Sequence, residues 1–416
     1  MSTTAPTSSL PLFDDRVLAD PYPTYEALRN TGPAVHLEKY DVWAIARHAD
    51  LAAILKAPDT FGSEAGIALT ALANRQILAS TVLASDGTVH TKLRRVLSQQ
   101  LAPRAMKSLT HRVTSRAERL VETYTASGRF DAVGLARHMV CDTVMELMGL
   151  PEADRELMLD GAAATFDVFG PANDRYQQAL PLASRMVDML HKHLTREAVA
   201  PESWMGAIFQ AVDAGQIEES DAVPLASAYT AAGIDTTVLG LTDTLVQLAR
   251  HPEQWQLLRR DPLRWAAPAF HESLRLEAPI QGFGRLLTKP ASIDGVHLDE
   301  GEQVWLLYGS AGRDPQQWGH DADTFTIQRP RSDRHLAFGG GPHLCAGIPL
   351  AELQARSVLR ALAAHCSHLT LDGEPVRVLN NLLRGYSSAP ITVELSPRTS
   401  ASAARTAETC QQGPVT

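Results

Sequence analysis

The sequence is poor in several things, and each shortage narrows the reading. It holds 4 cysteines in 416 residues, at positions 141, 345, 366 and 410, with no CxxC pair and no regular spacing. That density excludes a disulfide scaffold and fits a reducing cytoplasm. There is no basic excess: 38 Lys and Arg stand against 47 Asp and Glu, a net charge of −9. A nucleic-acid-coating protein is therefore disfavoured. No charged n-region or apolar h-region follows Met1, so no signal peptide is expected. The most apolar long stretch, 223–249, is broken by Asp235 and Asp243 and reads as a buried helix rather than a membrane span. Between the ends there is no Gly/Ser linker, internal repeat or low-complexity run. The ends themselves, 1–10 and 397–416, are rich in Ser, Thr, Ala, Pro and Gln and read as frayed tails.

What remains is an ordinary globular composition, 44% hydrophobic and 20% charged, which rules out a disordered or collagen-like chain. Length alone, at roughly 150 residues per domain, suggests two or three domains. A short helix is expected over 21–30, opened by proline. Strand-like runs follow over 35–46, with a turn at 39–41. From about residue 50 the helical period dominates. It predicts helices over 50–57, 88–100, 104–126, 131–149, 153–170, 175–195, 202–212, 220–250, 253–260 and 264–276. Residues 284–308 return to short strands, 310–344 read as irregular, and a helix over 346–365 precedes a strand-rich end. The fold class is mainly α with a minor β part.

Three motifs can carry chemistry. The first is FGGGPHLCAG, Phe338 to Gly347. Its glycines allow backbone conformations closed to other residues. Cys345 comes just before a helical run, where unpaired amides and the helix dipole favour an anionic sulfur. Taken alone, the loop also reads as a glycine turn with a structural cysteine. No Lys–Ser/Thr follows the glycines, which excludes a P-loop. No further ligands near His343 and Cys345 have zinc spacing.

The second motif is Glu272-Ser-Leu-Arg275, whose i, i+3 spacing puts both charges on one helix face. Alone it is a weak signal and reads as a solvated helix pair. The third is AAGIDTT, Ala231 to Thr237, expected mid-way along the most apolar helix. Gly233 costs about 1 kcal/mol there relative to Ala, and threonine can bend a helix by bonding back to a carbonyl. An acid beside a hydroxyl in a buried kink can relay protons. A polar face packed on another element is the alternative.

The order of the three motifs is more specific than any one. AGxDT, then ExxR, then FxxGxHxCxG resembles the cytochrome P450 family over about residues 15–395. The resemblance implies the P450 fold, with haem b held between a long central helix and the cysteine loop. Cys345 is the implied axial thiolate, a ligand that donates electron density to iron and favours O–O cleavage. The loop positions Phe338, His343 and Gly347 match the haem-contacting positions of the signature, and His343 the one that bonds a propionate. His90, Arg94 and Arg285 match further propionate partners. Glu272, Arg275 and Arg329 match a buried structural network. Asp235 and Thr236 match the acid–alcohol pair that delivers protons to dioxygen, with Ala232 and Gly233 leaving room above the haem.

The same resemblance implies a monooxygenase that uses O2, with electrons passing from NAD(P)H through a ferredoxin reductase and a ferredoxin. No fused redox domain is expected. Residues 91–120 hold eight Lys or Arg and one acid, Glu118, a patch that can steer an acidic ferredoxin or simply be a solvated face. The expected partners are thus a small-molecule substrate, O2 and redox proteins, with no nucleic acid and no membrane, in the cytoplasm. One catalytic domain is expected over 15–396, between tails at 1–14 and 397–416, because the haem contacts run from 90 to 345.

Segments 166–174, 309–315 and 380–385 are similar to the bacterial subgroup that oxidises para-substituted benzoates, by hydroxylation or O-demethylation. Ile67, Ser80, Phe166, Phe169, Ala231, Phe283, Gly284 and Leu383 are the pocket candidates. The subgroup's carboxylate partners are replaced by Ser227 and Ala231, and a bulky aromatic by Gly284. A buried charge needs a partner, so a small aromatic or a larger, less charged substrate is expected. Three alternatives stand at this point: a peroxygenase on the same fold, a non-catalytic haem-binding sensor, and a haem-free cysteine redox enzyme.

Overall fold

The structure is a computed structural model that describes residues 6–396. The expected N-terminal tail over 1–14 includes described residues that pack against the fold. Thr7–Ser8 pairs in parallel with Val35–Leu37, and Leu12 and Phe13 are buried. Phe13 packs edge-on against Tyr40 and Trp305. Two apolar anchors outweigh the polar residues around them. The expected tail over 397–416, with Cys410, lies outside the described residues.

The mainly helical reading holds. Helices run over Tyr22–Thr31, His48–Ile54, Gly87–Gln99, Pro103–Thr125, Ala132–Met148, Arg155–Val168, Asp174–His193, Trp204–Asp213, Pro252–Arg260, Pro262–Leu276 and Ile348–His365. Several start where a short polar side chain can cap them. Asp131, Asn173, Ser203 and Asp261 each accept a backbone N–H from the first turn.

The single helix expected over 220–250 is broken. Ala222–Ser227 ends, three residues deviate, and Ala231–Arg250 begins. The Thr230 hydroxyl reaches the carbonyls of Ala226 and Ser227, and Ser227 bonds back to Pro224. These side chains compete with backbone N–H groups for the same carbonyls. AAGIDTT therefore lies in the opening turns of the central helix, not at its middle.

That central helix packs on Ala132–Met148, Arg155–Val168 and Pro262–Leu276. Leu241, Leu245, Val246 and Leu248 are fully buried in the resulting core. A six-stranded sheet forms the minor β part. Its order is Thr7–Ser8, Val35–Leu37, Val42–Ile45, Gln303–Leu307, Gly282–Leu287, Phe61–Gly62. The expected turn at 39–41 joins its second and third strands, with Asp41 left-handed at φ 53°. A three-stranded sheet joins Cys366–Leu371, Pro390–Leu395 and Arg129–Asp131. Ala337, at the entry of the cysteine loop, packs against the apolar clusters of both the helices and the large sheet. No helix among the described residues is long and apolar enough to cross a membrane.

Candidate active site

The Glu272–Arg275 pair is buried, not solvated. Both side chains are fully excluded from solvent, and their bidentate contacts are 2.8 and 2.9 Å. The remaining donors of Arg275 reach the carbonyls of Gly312, Ala322 and Thr324. All five guanidinium donors are thereby used. Glu272 also accepts from Arg329 Nε at 2.9 Å and from the Thr326 amide. Arg329 in turn holds Asp321 and the carbonyls of Trp318 and Thr324. This satisfies the condition under which a buried ion pair is tolerated. The network pins the irregular 312–329 segment to the helix that carries the pair. Arg275→Leu leaves the buried Glu272 charge with Arg329 as its one remaining ion-pair partner among the described residues, and a loss of about 3–5 kcal/mol is expected; chemical denaturation of the haem-loaded protein measures it.

The cysteine loop follows that segment. Gly339 and Gly341 have φ of 70° and 61°. A Cβ at Gly341 would meet Leu55 O at 1.9 Å, so only glycine fits both the conformation and the approach. The Cys345 amide closes the loop on Phe338 O at 2.9 Å. The helix begins at Ile348, two residues later than expected, so the Gly347 and Ile348 amides are free to point at the sulfur. Surrounding protein pushes the Cys345 thiol up, while those two amides and the Arg94 guanidinium pull it down. Cys345 nonetheless faces open space, whereas Cys141 and Cys366 are sealed in the core with thiols pushed up to about 12 by burial.

Basic side chains converge beside this loop. Arg94 donates to Leu344 O. The His90 and His343 rings lie 4.2 Å apart. Burial pushes His343 down to about 4, helped by the nearby charges of Arg285 and His90. His90 Nε2 is buried without a partner. Arg285 is buried too, and its hydrogen bonds go to Gly284 O and Tyr308. The only acid in the group is Asp86, 3.3 Å from His343 Nε2. One sulfur ligand, an excess of buried cationic and imidazole donors, and an orphaned imidazole nitrogen suit a planar dianionic metal macrocycle. They do not suit a bare ion: no group of three or more metal-ligating side chains occurs among the described residues.

The opening turns of the central helix, Ala231 to Thr237, hold the third motif. Ala232 is exposed, and a Cβ added at Gly233 would meet nothing within 4 Å. Thr236 Oγ1 donates to Ala232 O at 2.7 Å. Asp235 is buried, and its Oδ2 has no partner. Burial raises its carboxyl to about 8, with Arg137 opposing and Asp160 reinforcing the shift. At neutral pH it holds a proton.

The cytochrome P450 family model matches residues 173–392. The chain is 36% identical over 383 residues to cytochrome P450 CYP199A2 of Rhodopseudomonas palustris, covering 91% of this chain and 92% of that one. This chain belongs to the cytochrome P450 family. It is also 31% identical over 409 residues to the P450 monooxygenase PikC of Streptomyces venezuelae, covering 92% and 95%. Among solved structures, P450 CREJ in complex with (4-ethylphenyl) dihydrogen phosphate matches with TM-score 0.78 and 26% identity, covering 91% and 98%. The protein is a P450 monooxygenase, and its cofactor is haem b.

In this P450 the pocket candidates fall into unequal groups. Ile67, Phe166, Phe169, Phe283 and Leu383 are buried in one apolar cluster, with Phe166 and Phe169 edge to face at 5.8 Å. Ala231 belongs to the core of the helices. Ser80 is exposed, in a left-handed turn at φ 63°, and is no part of either cluster. Gly284 does not enlarge the pocket. A Cβ there would meet Gly66 O at 2.2 Å and Gln303 Nε2 at 2.6 Å. The strand's pleat turns Gly284 onto the 66–68 segment, whose Ile67 O accepts its amide at 2.9 Å. Its role is close packing.

Sequence reasoning missed several residues around the site. Asp86 binds the amides of Ser63 and Glu64, and with Ser63 Oγ it holds His343. Its place directly before a helix is an N-cap signal, but it spends its carboxylate on a distant segment. Asn381 binds the carboxylate and carbonyl of Asp167, and Asn380 binds the carbonyl of Ala163. These bonds fasten the loop bearing Leu383 to the helix bearing Phe166. His271 and His335, buried behind Phe338, were also missed.

Proposed function

We propose that this P450 inserts one oxygen atom of O2 into a small, weakly charged aromatic substrate, by hydroxylation or O-dealkylation, with electrons from a ferredoxin. The observation that carries the reading is the Cys345 loop with its cationic and imidazole neighbours, and beside it in weight a buried Asp235 whose Oδ2 has no partner. Cys345 would hold the haem iron. His90, Arg94, Arg285 and His343 would hold the propionates, and Phe338 and Gly347 would flank the macrocycle. Haem, when bound, supplies the redox and oxygen-transfer chemistry. The chain's own residues position the substrate and move protons. Asp235 holds the proton, and the Thr236 hydroxyl, on the next residue, offers a route from the carboxyl into the open space beside Ala232. One catalytic domain spans 15–396, and the cytoplasm is the proposed location.

The aromatic preference rests on Phe166, Phe169 and Phe283 and on the likeness to the benzoate-oxidising subgroup. The low charge rests on Ser227 and Ala231. Ser227 spends its hydroxyl on Pro224 O at 2.6 Å, and neither residue can pair a carboxylate. A panel of benzoates, phenols and alkoxybenzenes, read by the haem spin-state shift, tests this. Uncharged rings are expected to shift the spectrum at lower concentration than the matching benzoates. A shift with benzoates alone would contradict the reading. Product formed under 18O2 should carry one labelled oxygen.

The ferredoxin reading rests on the cations of 91–120. Arg112 and Arg116 are paired with Glu146 and Lys92 with Glu218, so those charges are partly spent. Arg95, Arg104, Lys107 and Arg119 are exposed and have no acidic partner among the described residues. The helix that bears the last three packs on the helix after the cysteine loop, where Thr114 meets Ser357 at 3.3 Å. Arg104→Glu with Lys107→Glu is expected to lower kcat/KM for an acidic ferredoxin about tenfold at low salt. The loss should shrink as ionic strength rises.

A further inference from the structure

Behind the cysteine loop lies a buried chain of hydrogen bonds that the proposed reaction does not use. The Ala337 amide donates to His335 Nδ1 at 3.1 Å. His335 must then carry its ring proton on Nε2, which faces His271 Nδ1 at 3.2 Å. His271 in turn carries its proton on Nε2 and donates to Glu352 Oε1 at 3.0 Å. A single choice of tautomers, two neutral imidazoles ending on a carboxylate, satisfies every bond. Burial keeps His335 neutral, and the nearby Arg275 guanidinium acts the same way.

The connectivity gives this chain its meaning. His335 lies ten residues before Cys345 and Glu352 seven after it, so the relay ties the two ends of the loop together. His271 stands next to Glu272, which links the tie to the buried ion-pair network. Phe338 packs against both imidazoles, its ring 5.2 Å from His335 and 6.0 Å from His271. Its carbonyl in turn accepts the Cys345 amide. The outer end is reachable: the Glu352 side chain is 28% exposed.

We propose that His335, His271 and Glu352 form a positioning relay that clamps both ends of the cysteine loop and so sets where the Cys345 sulfur sits. The inference rests on Cys345 being the haem ligand. No member touches substrate or sulfur; each acts through Phe338 and the loop backbone.

The test uses the haem-loaded protein, with His271→Leu, Glu352→Gln and the double variant. Two readouts are taken: the fraction of the reduced carbonyl complex in the thiolate band, and the rate of haem transfer to an excess of apomyoglobin. His271→Leu should transfer haem about tenfold faster and convert part of the spectrum to the thiol-type band. Glu352→Gln, at the partly exposed end where folding is not at risk, should change both readouts in the same direction by less. The double variant should be no worse than His271→Leu, because the two residues act through one chain. Effects that add, or a Glu352→Gln protein with the parent's band and transfer rate, would overturn the relay. A parent protein without the thiolate band would refute the ligand reading instead, so the two failures are distinguishable.

Discussion

Asp235→Asn is expected to lower turnover about a hundredfold, the scale of a lost general acid, while leaving the thiolate spectrum and substrate affinity in place. The reason is geometric first. The carboxyl is buried at the start of the central helix and one oxygen has no partner, so its proton is committed to nothing else. Burial raises it to about 8, so it is protonated at neutral pH and can give that proton up. Turnover of the parent should fall as pH rises through about 8, and the Asn variant should lose that limb. Stability should move the other way. A carboxyl raised in the folded state stabilises fully below its unfolded value near 4, and the contribution is lost as pH rises towards about 8. Asparagine has no such loss. The variant should therefore gain thermal stability over the parent at pH 8 and gain little at pH 4. Thr236→Ala should keep NAD(P)H consumption while less of it ends in product, because Asp235 is intact but the adjoining hydroxyl is gone.

Much of this site was legible in the sequence for local reasons. The i, i+3 spacing of Glu272 and Arg275 requires a shared helix face, and the glycines before Cys345 announce left-handed backbone that Gly339 and Gly341 indeed adopt. What escaped was non-local. The break before Ala231 arises from hydroxyls competing for carbonyls, which periodicity does not register. Gly284 looked like vacant space, yet its missing side chain is filled by the backbone at Gly66, a neighbour that only the sheet register brings there. Thr7–Ser8 looked like tail because its partner strand lies near residue 36. His271 meets His335 and Glu352 across 64 and 81 residues of chain, with no motif to join them.

The central claim is that Cys345, and no other cysteine, carries the haem iron. Cys366 is the instructive contrast, being fully buried at the far end of the helix that follows the loop. That helix has 18 residues, so its ends lie about 27 Å apart. Cys366 also sits in strand register against Leu395 with its thiol sealed in apolar core. Cys345 instead faces open space, with two helix-start amides and Arg94 favouring an anionic sulfur. The deciding measurement is the spectrum of the reduced carbonyl complex for the parent, Cys345→Ala and Cys366→Ala. The red-shifted Soret band of a thiolate haem should appear in the parent, survive in Cys366→Ala, and vanish completely in Cys345→Ala. A band that persists in Cys345→Ala, or is lost in Cys366→Ala while haem is retained, would contradict the account.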